Sequence, residues 1–131
     1  MILVVGGAFQ GKLFFALDLT GYQKEDFLDG ADCDWDSIFT SKGIYHFQEY
    51  IRRCIQDGRS CEKLAERIRL DNPDVVIVTQ EMGCGIVPFE PFDRKWRENT
   101  GRICTELAKE ADKVYRVVCG VGMVIKDDSK N

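Results

Sequence analysis

Histidine is nearly absent from this sequence: His46 stands alone among 131 residues. Six cysteines are present, Cys33, Cys54, Cys61, Cys84, Cys104 and Cys119, but no two form a C-x-x-C pair. One imidazole and scattered thiols argue against structural zinc, whose ligands come in closely spaced pairs. Long apolar runs are missing too. Ile2 to Val5 is too short and lacks the basic flank of a signal peptide, and no later run approaches a membrane span. A cytoplasmic protein with no membrane partner is expected, its cysteines mostly free thiols in or near the core. Positive charge is in deficit: 18 basic against 22 acidic residues give a formal net charge of −4. That balance speaks against nucleic acid as a partner, although a helix N-terminus can still attract a small anion. There is no repeat, low-complexity tract or linker. With 44% hydrophobic and 31% charged residues, the chain is expected to form one domain over 1–131.

What is present begins at the apolar run Ile2 to Val5, which leads directly into Gly6-Gly7-Ala8-Phe9-Gln10-Gly11-Lys12-Leu13. The stretch satisfies G-x-x-x-x-G-K and then fails the final position of a phosphate-binding P-loop. In that motif backbone N–H groups wrap a phosphate, the lysine neutralises it, and a Ser or Thr hydroxyl helps hold Mg²⁺. Leu13 has no oxygen to offer, so a metal there would need ligand phosphates, water and another carboxylate. The alternative is a glycine turn carrying a solvated lysine.

The order of elements favours the phosphate site. Ile2 to Val5 suits a strand covered on both faces, and Lys12 to Leu19 suits a helix beginning inside the glycine loop. Asp74 to Thr79 is the clearest second strand, entered through Asn72-Pro73, and Lys113 to Cys119 is another, ended by Gly120. Helices are expected over His46 to Gln56, Ser60 to Leu70 and Phe92 to Glu110. Gly21 to Lys42 is the least readable part, with a short strand near Asp26 to Gly30; Gly43 to Tyr45 offers another. Strands alternating with helices predict an α/β fold, a P-loop NTPase-like three-layer arrangement with a mostly parallel central sheet and ligands at the strands' carboxyl ends.

Three further groups could carry chemistry. Glu81 follows the second strand and could order Mg²⁺ through water, bind a ribose hydroxyl or act as a base, while Gly83 and Gly85 would let backbone approach a ligand. A turn with a solvated carboxylate is the alternative. Arg94, Arg97 and Arg102 share a helix face that could clamp phosphates, or pair with Glu98 and Glu106. His46 is the nucleophile or acid–base candidate by elimination, yet its apolar neighbours Ile44, Tyr45 and Phe47 equally suit a partly buried structural histidine. Cys84 reads as a packing residue.

Two segments together resemble a known family. They are M-I-L-V-V-G-G-A-F-Q-G-K and V-T-Q-E-M-G-C-G-I-V-P, the latter followed by D-R-K-W-R-E-N-T-G-R and A-D-K-V-Y-R-V-V-C-G-V-G-M-V-I-K. This pattern is similar to the adenosylcobinamide kinase/adenosylcobinamide-phosphate guanylyltransferase family of cobalamin biosynthesis. The resemblance implies a P-loop fold, ATP or GTP as nucleotide, Mg²⁺, and a corrinoid substrate. It also implies phosphorylation of the aminopropanol hydroxyl, then transfer of GMP through a guanylylated histidine. By matching position Gly6 to Lys12 would hold nucleotide phosphates, with Lys12 and Glu81 catalytic. Gly83 and Gly85 would line the site, and Arg94 and Arg97 would close the far side. The chain departs from the family pattern at Leu13, where the family has Ser or Thr, and at Cys104, where Asn is usual. Its middle is shorter, lacking the stretch that carries the second strand, the guanylyl-accepting histidine and an acidic strand end, and His46 does not match that histidine. Three readings follow: a transferase, a nucleotide- or corrinoid-binding homologue without the chemistry, or a subunit completed by a partner or by a homo-oligomer. The acidic Gly21 to Asp36 segment, in which Trp35 is expected to be exposed, is a candidate interface.

Overall fold

The computed structural model describes residues 1–7, 11–82 and 90–128. Six strands form one sheet in the order β2-β3-β4-β1-β5-β6. They are β1 (Ile2–Gly6), β2 (Phe27–Asp29), β3 (Gly43–Tyr45), β4 (Val76–Gln80), β5 (Lys113–Val118) and β6 (Val121–Asp127). All neighbours run parallel except β5 and β6. Among the described residues the α-helices are α1 (Lys12–Thr20), α2 (Phe47–Gln56), α3 (Leu64–Asp71) and α4 (Pro91–Glu110).

The alternation of β1 explains the three layers. Leu3 and Val4 are both buried but join different clusters. Leu3 meets the side carrying α2, α3 and α4, where Phe47, Ile51, Ile68, Ile103 and Leu107 are fully enclosed. Val4 meets α1 through Ala16, together with Val76, Val78 and Val117. Successive side chains on a strand point to opposite faces, so a run of apolar residues is what a doubly covered strand requires. On α2 the buried Phe47, Tyr50, Ile51 and Cys54 follow helical spacing. Pro91 sits at the start of α4, where its missing N–H costs nothing.

This is the mostly parallel α/β architecture expected from the sequence, and both short strands, Phe27–Asp29 and Gly43–Tyr45, are present. Three details differ. The third helix begins at Leu64 rather than Ser60, because Cys61 turns inward to the core and the Leu64 N–H closes a turn on its carbonyl. Beyond Gly120, which closes off β5 as expected, an unexpected strand follows. Cys119 and Gly120 both adopt left-handed conformations (φ 51° and 76°), the geometry of a two-residue hairpin turn, and the chain returns as β6. Trp35 is half-buried rather than exposed: it stacks under the guanidinium groups of Arg53 and Arg59, 4.5 and 4.2 Å from its ring centre.

Candidate functional site

The two central parallel strands set the position of the site. Gly6 at the end of β1 stands beside Gln80 at the end of β4, and the next residue, Glu81, donates its N–H to the Gly6 carbonyl at 2.7 Å. The chain therefore leaves the sheet twice at adjacent points, where parallel α/β sheets bind ligands. Gly11 caps the start of α1 in a left-handed conformation, and no side chain caps the helix there. No described side chain accepts from the first-turn N–H groups, and the helix dipole favours an anion there.

Lys12 opens α1. Its Nζ donates to the Gly7 carbonyl at 2.6 Å, and partial burial lowers its pKa from the ordinary lysine value. A half-desolvated ammonium held on one carbonyl keeps donors for another acceptor. A cleft of about 700 Å³ opens beside it, lined by Lys12, Leu13 and Phe14 from α1, by Asp29, and by His46 and Gln80. Phe14 is 77% exposed at its mouth. Ala8, Phe9 and Gln10, the middle of the expected loop, lie outside the described residues, as do Gly83, Cys84 and Gly85.

Opposite Lys12 the cleft wall carries a pair that the sequence did not reveal. Asp29 ends β2 and His46 follows β3, its paired neighbour; His46 Nδ1 lies 3.0 Å from Asp29 Oδ1. An aspartate therefore ends the short strand expected near Asp26 to Gly30. Burial alone would raise the Asp29 pKa, but the Ala31 N–H and His46 outweigh it and hold the carboxyl below its ordinary value. His46 is not the partly buried histidine that its apolar neighbours suggest. Its side chain is 53% exposed, because His46 takes a left-handed conformation (φ 53°) that sends the chain into α2 and leaves the ring outside, against Tyr45. The signal in the sequence was Asp29-Gly30. Gly30 packs directly on the His46 carbonyl, a contact that leaves no room for a side chain.

Gln48 braces the same wall from behind. Its Oε1 accepts the Gln80 N–H at 3.0 Å, and its backbone carbonyl accepts from Trp96 Nε1 at 2.8 Å. The end of β4, the first turn of α2 and the helix α4 are tied through this one buried residue.

Glu81 is elsewhere engaged. Arg116 Nε lies 3.2 Å from its Oε2, and Glu81 lines a smaller crevice of about 280 Å³ with Thr100 and Cys104. Burial raises the Cys104 thiol to about 11. Arg94 and Arg97 lie on α4 and line neither of these spaces. Arg102 pairs with Glu106 at 3.1 Å, as a solvated helix face would. Among the described residues no cluster of three His, Cys, Asp or Glu could hold a metal ion. Leu13 adds no oxygen donor at the cleft, so these residues do not build a protein-only magnesium site.

Comparison with known proteins bears on the larger part of this chain. Residues 44–125 match the family described as cobinamide kinase / cobinamide phosphate guanyltransferase. The match runs from β3 into β6 and does not include β1 or the glycine loop. The bifunctional adenosylcobalamin biosynthesis protein CobU of Salmonella typhimurium is 48% identical over 52 residues, covering 40% of this chain and 29% of that protein. The protein of the same name from Escherichia coli is 46% identical over 52 residues, with the same coverage. The aligned segment thus amounts to under a third of either relative's length.

Proposed function

The chain belongs to the cobinamide kinase / cobinamide phosphate guanyltransferase family, and from that premise we propose that it binds a purine nucleoside triphosphate, ATP or GTP, and a corrinoid alcohol, transferring a phosphoryl or guanylyl group between them. The nucleotide phosphates would lie against Gly6, Gly7 and the start of α1 at Gly11, with Ala8, Phe9 and Gln10 supplying backbone donors. Lys12 neutralises the phosphate charge. The observation that carries this reading is the half-buried Lys12 ammonium at the adjoining ends of β1 and β4, opening onto a cleft large enough for a small ligand. Gly83 and Gly85 would approach the ligand by backbone, and Arg94 and Arg97 would meet the corrinoid or its phosphate. A magnesium ion accompanying the nucleotide would rest mainly on phosphate and water oxygens, with Glu81 at most reaching it through water. We assign the chain a single domain, 1–131, working in the cytoplasm; no described helix is long and apolar enough to cross a membrane.

The second reading is a binding protein of the same family that performs no transfer. Leu13 at the hydroxyl position and the engagement of Glu81 by Arg116 favour it. Completion of the site by a second copy of the chain is a third arrangement, which sedimentation with and without ligand would detect. Titration with ATP and GTP, followed by incubation of labelled nucleotide with adenosylcobinamide, separates the first two. Transfer of label supports the enzyme, and saturable binding without transfer supports the binder. Lys12→Ala should lower nucleotide affinity at least tenfold; unchanged affinity leaves only a glycine turn.

A further inference from the structure

We propose that Asp29 and His46 form a general-base pair for the phosphoryl acceptor, His46 as the catalytic residue and Asp29 as its positioning residue; this rests on the transfer reading above. The argument starts from the tautomer. Asp29, held ionised by the Ala31 N–H, can only accept hydrogen bonds. Nδ1 of His46, 3.0 Å away, must then carry the proton, which leaves the lone pair on Nε2. That nitrogen belongs to a ring more than half exposed on the cleft that also holds Lys12.

The backbone is built to keep the ring there. His46 holds a left-handed conformation, uncommon for a residue with a side chain and concentrated at functional sites. The Gly30 N–H to Tyr45 carbonyl bond (2.8 Å) and the close packing of Gly30 on the His46 carbonyl lock the end of β2 against that of β3. The His46 carbonyl in turn receives the Glu49 N–H at 2.9 Å inside the first turn of α2. The backbone is packed at this joint, but the imidazole itself stands outside the core.

In the step proposed, the Nε2 lone pair takes the proton from the acceptor's hydroxyl. The oxygen so freed bonds to the terminal phosphorus of the nucleotide held at Lys12. The bond from that phosphorus to its bridging oxygen breaks, its electrons leave on the nucleoside diphosphate, and the imidazolium returns its proton to water. The charged and titratable groups around the ring are Asp29 at the end of β2, Asp32 in the turn after it, Tyr45 on β3, Glu49 on α2, Lys12 on α1 and Lys24 before β2.

Because the chain has one histidine, its ring nitrogens give a single pair of ¹⁵N resonances, readable with or without turnover. At alkaline pH the expected spectrum has Nδ1 protonated and Nε2 bare, with Asp29→Asn shifting the population toward the other tautomer. Protonated Nε2 in the parent protein, or no response to Asp29→Asn, overturns the pair. In transfer assays at saturating ATP, His46→Gln should lower kcat by about 10²- to 10⁴-fold with nucleotide KM unchanged. Asp29→Asn should lower kcat less. Undiminished kcat in His46→Gln overturns the assignment, and so does a denaturation-stable nucleotide label carried by His46, which would make it a nucleophile. Nucleotide that binds but is never transferred by the parent protein overturns base and transferase together, whereas loss of binding in Lys12→Ala reports on the phosphate site alone.

Discussion

Glu81 and Arg116 meet across the end of β1, with Arg116 Nε 3.2 Å from Glu81 Oε2. Both side chains remain partly exposed, at 33% and 44%, so solvent screens the attraction. The pair orients a carboxylate at the adjoining ends of β1 and β4 without contributing much to stability. Arg116→Met should therefore change unfolding free energy by less than about 1 kcal/mol. Released from its partner, Glu81 should bind cations better, and Mg²⁺ should then strengthen ATP binding more than in the parent protein. Calorimetric titration with and without Mg²⁺ reads this directly, and an identical Mg²⁺ effect in both proteins would contradict it.

Gln48 is the residue to remove when testing how the site is braced. Its Oε1 is the acceptor for the Gln80 N–H, and the substitution Gln48→Ala leaves that donor at the end of β4 without its partner. The expected loss is about 1–3 kcal/mol in a denaturant melt. Trp96→Phe, which removes only the indole donor to the Gln48 carbonyl, should cost about 1 kcal/mol. A larger loss for Trp96→Phe than for Gln48→Ala would refute this ordering.

Gly30→Ala tests the joint between β2 and β3. An added Cβ would run into the His46 carbonyl and sit 3.1 Å from that of Tyr45. Overpacking of this kind costs about 1–3 kcal/mol. The local displacement should also weaken the Nδ1 to Asp29 contact, so the His46 ring resonances should shift in this variant. Preserved stability together with an unshifted ring would show that the joint is loose.

The thiols divide sharply by environment. Cys54 and Cys61 face each other between α2 and α3, and the hydrogen bond from Cys54 lowers the Cys61 pKa to about 7 while Cys54 is driven well above its ordinary value. Thiolate is the reacting form, so alkylation of Cys61 should rise through about pH 7 and level off above it. Cys54→Ala should move that rise to higher pH. Peptide mass mapping after a brief iodoacetamide pulse follows both cysteines, and an unmoved profile in Cys54→Ala would exclude the hydrogen bond as cause.

Most of the fold was legible because it is written in local patterns. The apolar run of β1, the helical spacing of Phe47, Tyr50, Ile51 and Cys54, and the strand Val76–Gln80 each declare their own element. Strand β6 was not legible: Val121, Val124 and Ile125 are exposed, so no alternation marks it, and a glycine that reads as a stop is half of a reversal. Lys12 could be found from its motif. Asp29 could not, since its importance comes from a strand pairing that sets it beside a residue 17 positions away. Glu81 shows the opposite case, a motif position whose partner, Arg116, comes from β5.

The bond from the Glu81 N–H to the Gly6 carbonyl fastens the carboxyl end of β4 to that of β1 one residue beyond their ladder. Arg116 reaches the same residue from β5, the other neighbour of β1. Three adjacent strands are thus joined at Glu81, and a displacement of Gly6 passes to it through a single hydrogen bond.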